Sequence, residues 1–136
     1  MIRRLGLALA SVLLVLTAGC TTGEQPALAN TSWKLTGWAE STPPPANLTM
    51  TTRFEAGELN GSAGINTYAG TFVSEVDGSL TIRLGPMTLM AGPEADMKAE
   101  SIFIDRLGAA RGYRINGSTL VLTDADRHDS LTYARG

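Results

Sequence analysis

The sequence predicts an α+β domain: a curled antiparallel sheet, half-barrel or barrel-like, of about eight short strands, with one helix inserted late. Three observations predict it. Apolar residues recur at every second position in several short segments, the period of a half-buried strand. Asp77-Gly78 and Asn116-Gly117 are hairpin dipeptides placed between such segments. Helical features gather in only one stretch, which follows Pro93 late in the chain.

In chain order, Trp33, Leu35 and Gly37 alternate with Lys34 and Thr36, which predicts a strand over Thr31–Trp38. Pro43-Pro44-Pro45 then forces an extended loop. Leu48, Met50, Thr52 and Phe54 share one side of a second strand. Gly57 marks a turn, and Glu58–Ser62 leads into the glycine-rich residues 61–70. Residues 68–76 read as a strand ending at Asp77-Gly78, and Leu80, Ile82 and Leu84 alternate on the next. The helix is expected over residues 93–107. Pro93 suits its first turn, Glu94 and Asp96 suit its N-terminal end, Arg106 suits its C-terminal end, and Gly108 stops it. Three strands close the chain: residues 112–115, 118–123 and 130–135, with Leu120, Leu122, Leu131 and Tyr133 pointing inward.

The first residues of the chain suggest export. The sequence has 136 residues, enough for one domain of ordinary size. Arg3 and Arg4 precede an apolar run over residues 5–16, too short for a comfortable membrane span. Leu16-Thr17-Ala18-Gly19-Cys20 resembles the bacterial lipobox, with Thr17 where Leu, Val or Ile is usual. That resemblance implies a signal peptide over residues 1–19 and a lipid-modified Cys20. Residues 21–27 are then a flexible tether and residues 28–136 the domain. Cys20 is the only cysteine, so no disulfide is expected and the apolar core alone must hold the domain. Two or three acyl chains give stable attachment where one is marginal.

Charge excludes other partners. Once Arg3 and Arg4 leave with the signal peptide, 9 basic residues face 13 acidic ones, with no basic run. Nucleic acid and electrostatic adhesion to anionic lipid are both disfavoured. A monomer is expected.

The chemistry-bearing residues are few. The sole histidine, His128, lies in Asp124-Ala125-Asp126-Arg127-His128-Asp129. This stretch lacks the twelve-residue calcium pattern and the further His or Cys that zinc needs, so it reads as a solvated hairpin turn. Residues 61–70 lack the Lys-Ser/Thr pair of a phosphate loop and open no helix. Their glycines are expected to permit a tight bend, with Asn66 bonding that bend internally. Glu100 falls among Met97, Phe103, Ile104 and Leu107 on one helical face. Two readings of it stay open. Either Glu100 is a structural pin accepting bonds from the 61–70 bend, or it is a polar group at the base of an apolar pocket. Trp33 and Trp38 are an odd number of positions apart, so one strand cannot bury both in one core. Trp33 is assigned to the core and Trp38 to partial exposure and partner contact. No catalytic residue, metal site or cofactor is expected.

Several segments together resemble the META domain (HslJ-like) family. Leu28-Ala29-Asn30-Thr31-Ser32-Trp33-Lys34-Leu35 is similar to its opening Leu-x-Gly-Thr-x-Trp-x-Leu. Gly61-Ser62-Ala63-Gly64-Ile65-Asn66-Thr67-Tyr68-Ala69-Gly70 resembles its Gly-x-x-Gly-Cys-Asn-x-Tyr-x-Gly. Pro86-Met87-Thr88-Leu89-Met90-Ala91-Gly92 resembles its Thr-x-Met-Ala-Cys segment, and Glu100, Phe103 and Leu107 keep its helical spacing. Tyr113, Ile115, Gly117, Leu120 and Leu122 fit its closing hairpins. Ile65 and Gly92 stand where relatives often carry cysteine. The resemblance implies that these two positions lie within bridging reach, with Cα atoms about 4.4–6.8 Å apart. It also implies a non-enzymatic envelope lipoprotein, linked to stress or antibiotic tolerance and anchored on the extracytoplasmic side. The expected partners are the membrane, through the lipid, and an envelope protein or apolar ligand. The alternative is a carrier or pilot-like module that binds an acyl chain or an apolar peptide segment.

Overall fold

The computed structural model describes residues 23–136. The expected signal peptide and the expected lipid-bearing Cys20 lie outside the described residues. Eight strands and one helix follow in the order β1 (Thr31–Trp38), β2 (Thr51–Phe54), β3 (Glu58–Ser62), β4 (Thr67–Ser74), β5 (Leu80–Met87), α1 (Glu94–Gly108), β6 (Gly112–Asn116), β7 (Thr119–Thr123) and β8 (Asp129–Arg135). All pair antiparallel in one sheet of order β5-β4-β3-β2-β1-β8-β7-β6. This is the curled half-barrel expected of about eight strands with one helix to cover them.

The two edge strands meet at one end. The Leu80 N–H donates to the Arg111 carbonyl at 3.0 Å, and the Tyr113 N–H donates to the Gly78 carbonyl at 2.8 Å. At the other end β5 and β6 part, and α1, which connects them, packs into the opening. Its inward residues are Ala99, Glu100, Phe103 and Leu107. Phe103 is fully buried and meets the Tyr68 ring edge-on, with centroids 5.8 Å apart. Burying such a side chain stabilises by roughly 1.5–3 kcal/mol. Trp33, Tyr133, Phe54 and several leucines fill the rest of the interior.

Buried polar groups inside the barrel satisfy one another. Thr52 Oγ1 lies 2.7 Å from the Tyr68 hydroxyl and 3.1 Å from the Tyr133 hydroxyl, and Tyr68 also donates to the Thr51 carbonyl at 2.7 Å. Gly61 makes room for this. A Cβ there would overlap the Thr51 carbonyl and stand 2.9 Å from the Tyr68 hydroxyl oxygen.

Four local features differ from the sequence expectation. Gly108 is the last helical residue rather than a left-handed stop. The cap is Ala109, at φ −86° and ψ −5°. A Cβ there would meet Leu84 Cδ1 at 3.4 Å, an ordinary van der Waals contact. In the β6–β7 hairpin, Asn116 pairs with Thr119, so Gly117 and Ser118 form the turn and Gly117 takes φ +60°. Met97 does not join the inward helical face. Near the start of α1, it is 37% exposed. Finally, contacts with the domain begin before Leu28. The Gln25 N–H donates to the Val76 carbonyl at 2.7 Å, the Gln25 Oε1 accepts from the Ile115 N–H at 2.9 Å, and the Pro26 carbonyl accepts from the Tyr113 hydroxyl at 3.1 Å.

Candidate functional site

The open end of the barrel carries a polar hub with an apolar groove above it. Asn66, in the tight bend between β3 and β4, is 2% exposed, and Glu100, on the inner face of α1, is 4% exposed. One carboxylate oxygen of Glu100 accepts the N–H groups of Ile65 at 3.0 Å and Asn66 at 2.7 Å. The other accepts the Asn66 side-chain amide at 2.6 Å. Three donors thus compensate a carboxylate that burial alone would penalise.

Asn66 extends the hub to the loop between β5 and α1. Its Oδ1 accepts from the Met90 N–H at 2.7 Å and from the Thr88 hydroxyl at 2.9 Å, while its Nδ2 also donates to the Met90 carbonyl at 3.2 Å. Thr88 is further held by β4: its N–H donates to the Thr67 carbonyl, and its hydroxyl accepts from the Thr67 N–H, each at 3.0 Å. Among the described residues, no buried side-chain nitrogen or oxygen lacks a partner.

Fixing Thr88 and Met90 leaves Leu89 projecting between them. It is 94% exposed, and Met90 is 58% exposed. Beside them runs a groove of about 370 Å³, lined by Met87, Met90, Met97 and Ile104, with Glu100 and Asn66 at its base. Its wall is largely apolar, and methionine side chains adapt to varied apolar partners. Next to the groove, Ile65 lies over Gly92. Its Cδ1 would overlap a Cβ built on Gly92, and its Cγ1 and Cγ2 lie 3.2 and 3.7 Å from that position. The two positions that the resemblance expects to lie close together are therefore in contact.

The sequence-predicted site residues thus divide. Asn66 and Glu100 come together. Trp38 stands apart, half-buried against the core, with its indole N–H donating to the Thr42 carbonyl at 2.6 Å. Leu89, Met90 and Met87 escaped sequence reasoning. The signal for them was an apolar run with neither strand nor helix period, bounded by Pro86 and Gly92-Pro93. In the 124–129 loop, Asp124, Asp126 and His128 bring one ligand atom each within 4.8 Å of the others. There Asp124 Oδ1 accepts the N–H groups of Asp126 at 2.9 Å and His128 at 3.0 Å, and Arg127 takes φ +66°. Those bonds organise a hairpin turn.

Residues 26–135 match the model of the META domain. The chain belongs to the META domain family. Two solved structures are similar to this META domain in fold. The NMR structure of a protein from Burkholderia xenovorans is 22% identical over 80% of this chain and 83% of its own, with a TM-score of 0.63. The crystal structure of a DUF4847 family protein from Bacteroides vulgatus is 17% identical over 79% of this chain and 93% of its own, with a TM-score of 0.54. No curated protein matches. The family match spans both halves of the hub, the bend that carries Asn66 and the helix that carries Glu100.

Proposed function

We propose that this META-domain chain is a lipid-anchored, non-enzymatic binding protein on the extracytoplasmic side of the bacterial cell envelope. Its binding surface is the methionine groove with Leu89 at the rim, and it serves envelope maintenance under stress or antibiotic challenge. One observation carries the reading. Leu89 is exposed because its neighbours on both sides are bonded into a rigid hub, and not because its loop lacks partners. Burying a leucine is worth roughly 1.5–3 kcal/mol, so a leucine held in water is a ready anchor for a partner. The lipid anchor is supported by Arg3, Arg4, the apolar run and the lipobox-like residues ending at Cys20.

The second reading, a carrier for an acyl chain, is favoured by the apolar wall of the same groove. The barrel interior is occupied by Trp33, Tyr133, Phe54 and Phe103, so such a ligand would lie in the groove and not inside the barrel.

The test places a photo-crosslinking side chain at Leu89 in the tethered protein in cells. A discrete protein adduct, weakened by Met97→Asp and absent when the probe stands at the exposed Val73, is the expected result. No adduct, together with an acyl ligand retained in native mass spectrometry, would favour the carrier. Leu89→Asp should leave folding stability within about 0.5 kcal/mol, as at other surface positions. The anchor is tested separately by Cys20→Ala, which should release the protein from the membrane.

A further inference from the structure

We infer that the domain stands on its membrane with the joined end of the barrel down, the β4–β5 hairpin touching the lipid surface and the methionine groove facing away. The inference rests on the lipid anchor at Cys20. It adds which surface meets the bilayer and from which side the groove is filled.

The entry point of the chain decides the geometry. Coming from Cys20, the first described residue bound to the domain is Gln25, between the Val76 carbonyl of the β4–β5 hairpin and the Ile115 N–H of β6. The Pro26 carbonyl takes the Tyr113 hydroxyl, and Leu28 is buried. These contacts sit at the end of the barrel where Gly78 and Leu80 meet β6. From Cys20 to Gln25 the chain extends at most about 18 Å. The groove lies at the opposite end of β5, because Met87 and Leu80 are the two ends of that strand. At about 3.3 Å per residue, β5 runs about 23 Å between them. The tether is shorter than that strand, so the domain cannot turn over to set the groove squarely against the bilayer that holds the lipid, and the joined end stays the nearer one.

The distribution of exposed apolar side chains agrees. Among the described residues, the large hydrophobic side chains that stand exposed form two groups. Leu89, Met90 and Met97 are at the groove, while Val73 and Val76, 63% and 62% exposed, are on or beside the hairpin that binds Gln25. The hairpin tip is firm: the Asp77 carboxylate accepts the Ser79 N–H at 2.9 Å, and the Glu75 N–H donates to the Ser79 carbonyl at 3.0 Å. Charges around this end are mixed. Asp77, Asp124, Arg111, Arg114 and Arg127 line one polar groove there. Contact with lipid is therefore apolar and steric in character, and insensitive to salt.

The mature lipidated protein, reconstituted in vesicles of phosphatidylethanolamine and phosphatidylglycerol, provides the test. Its Cys20 thiol is blocked by lipid, so Val76→Cys and Leu89→Cys each offer one site for a fluorophore. Nitroxide-headgroup lipids should quench the probe at position 76 severalfold more than the probe at 89, at low and high salt alike. A flexible Gly-Ser insertion of about 20 residues between Glu24 and Gln25 should erase the difference. Equal quenching without the insertion, or stronger quenching at 89, would overturn the orientation. Mass spectrometry of the N-terminal peptide separates the two failures. An unmodified Cys20 removes the anchor itself, whereas a lipidated Cys20 with equal quenching removes only the orientation.

Discussion

Asn66 and Glu100 place three chain segments with two side chains. Each polar atom of the Asn66 side chain is used: Oδ1 accepts twice and Nδ2 donates twice. Glu100 answers with acceptors only. Exchange of a carboxylate for an amide is therefore not neutral. In Glu100→Gln the carbonyl oxygen still takes the two backbone N–H groups, but its NH₂ then faces the Asn66 NH₂. Turning Asn66 over would break its bonds from Thr88 and Met90. We expect Glu100→Gln to cost about 2 kcal/mol and Glu100→Ala about 3–5 kcal/mol in denaturant unfolding, since the alanine leaves three donors unpaired in a buried site. A loss below about 0.5 kcal/mol for the alanine variant would mean that the hub does not hold the helix. Because the hub also fixes Leu89, the glutamine variant, where it folds, should lose part of the crosslinking at that position.

At the scale of elements, the hub joins the β3–β4 bend, the β5–α1 loop and α1, and a covalent bridge across the same junction should reinforce it. The Ile65 side chain packs against the Gly92 backbone. The double variant Ile65→Cys, Gly92→Cys should close a disulfide on oxidation and raise stability by about 2–4 kcal/mol over its reduced form, read from the shift in denaturant midpoint with and without reductant. Failure of the bridge to form would show that the two backbones stand too far apart for its geometry. Position 92 was legible in the sequence only through family resemblance. Strands were legible from residues alone, because alternation reports burial on one face, as at Trp33 and Leu35. Helix placement was legible for the same kind of reason, from Phe103 and Leu107. Less legible was anything set by a neighbour distant in sequence. Gly108 looks like a helix stop, yet it is the last helical residue and packs near Leu84 of β5. Met97 looks inward by periodicity, yet it is partly exposed at the groove. Gln25 looks like tether, yet β6 and the β4–β5 hairpin bind it. The groove was unreadable for a similar reason: its loop has no period, and its rigidity comes from Asn66, more than twenty residues away.

Over the whole molecule, the three tyrosines tie stability to alkaline pH. Burial pushes the Tyr133 hydroxyl well above its ordinary value of 10.0, with the neighbouring Tyr68 adding to the effect. Burial likewise raises Tyr68, against a smaller opposing effect of its bond with Thr52, and burial is also the main cause of the rise at Tyr113. In the unfolded chain all three titrate near 10. Between that pH and the folded-state values, the native protein holds more protons than the unfolded one, so stability falls as pH rises. The contribution is fully present below pH about 10 and is lost as pH climbs through the raised values. Each of the two core tyrosines steepens the fall by up to about 1.4 kcal/mol per pH unit. On the acidic side, Asp129, held down by its pairing with Arg114 at 2.7 Å, is solvent-exposed and worth at most about 1 kcal/mol. Tyrosinate ultraviolet absorbance should therefore stay low in the native protein as pH passes 10, then rise in one step together with loss of the sheet signal in circular dichroism. Denatured protein should titrate smoothly near 10. Tyr133→Phe should cost about 1 kcal/mol at neutral pH, because Thr52 keeps Tyr68 as partner, and should move the alkaline midpoint upward relative to its own neutral stability. Smooth titration of all three tyrosines near 10 in a protein that stays folded would contradict a closed core around Thr52.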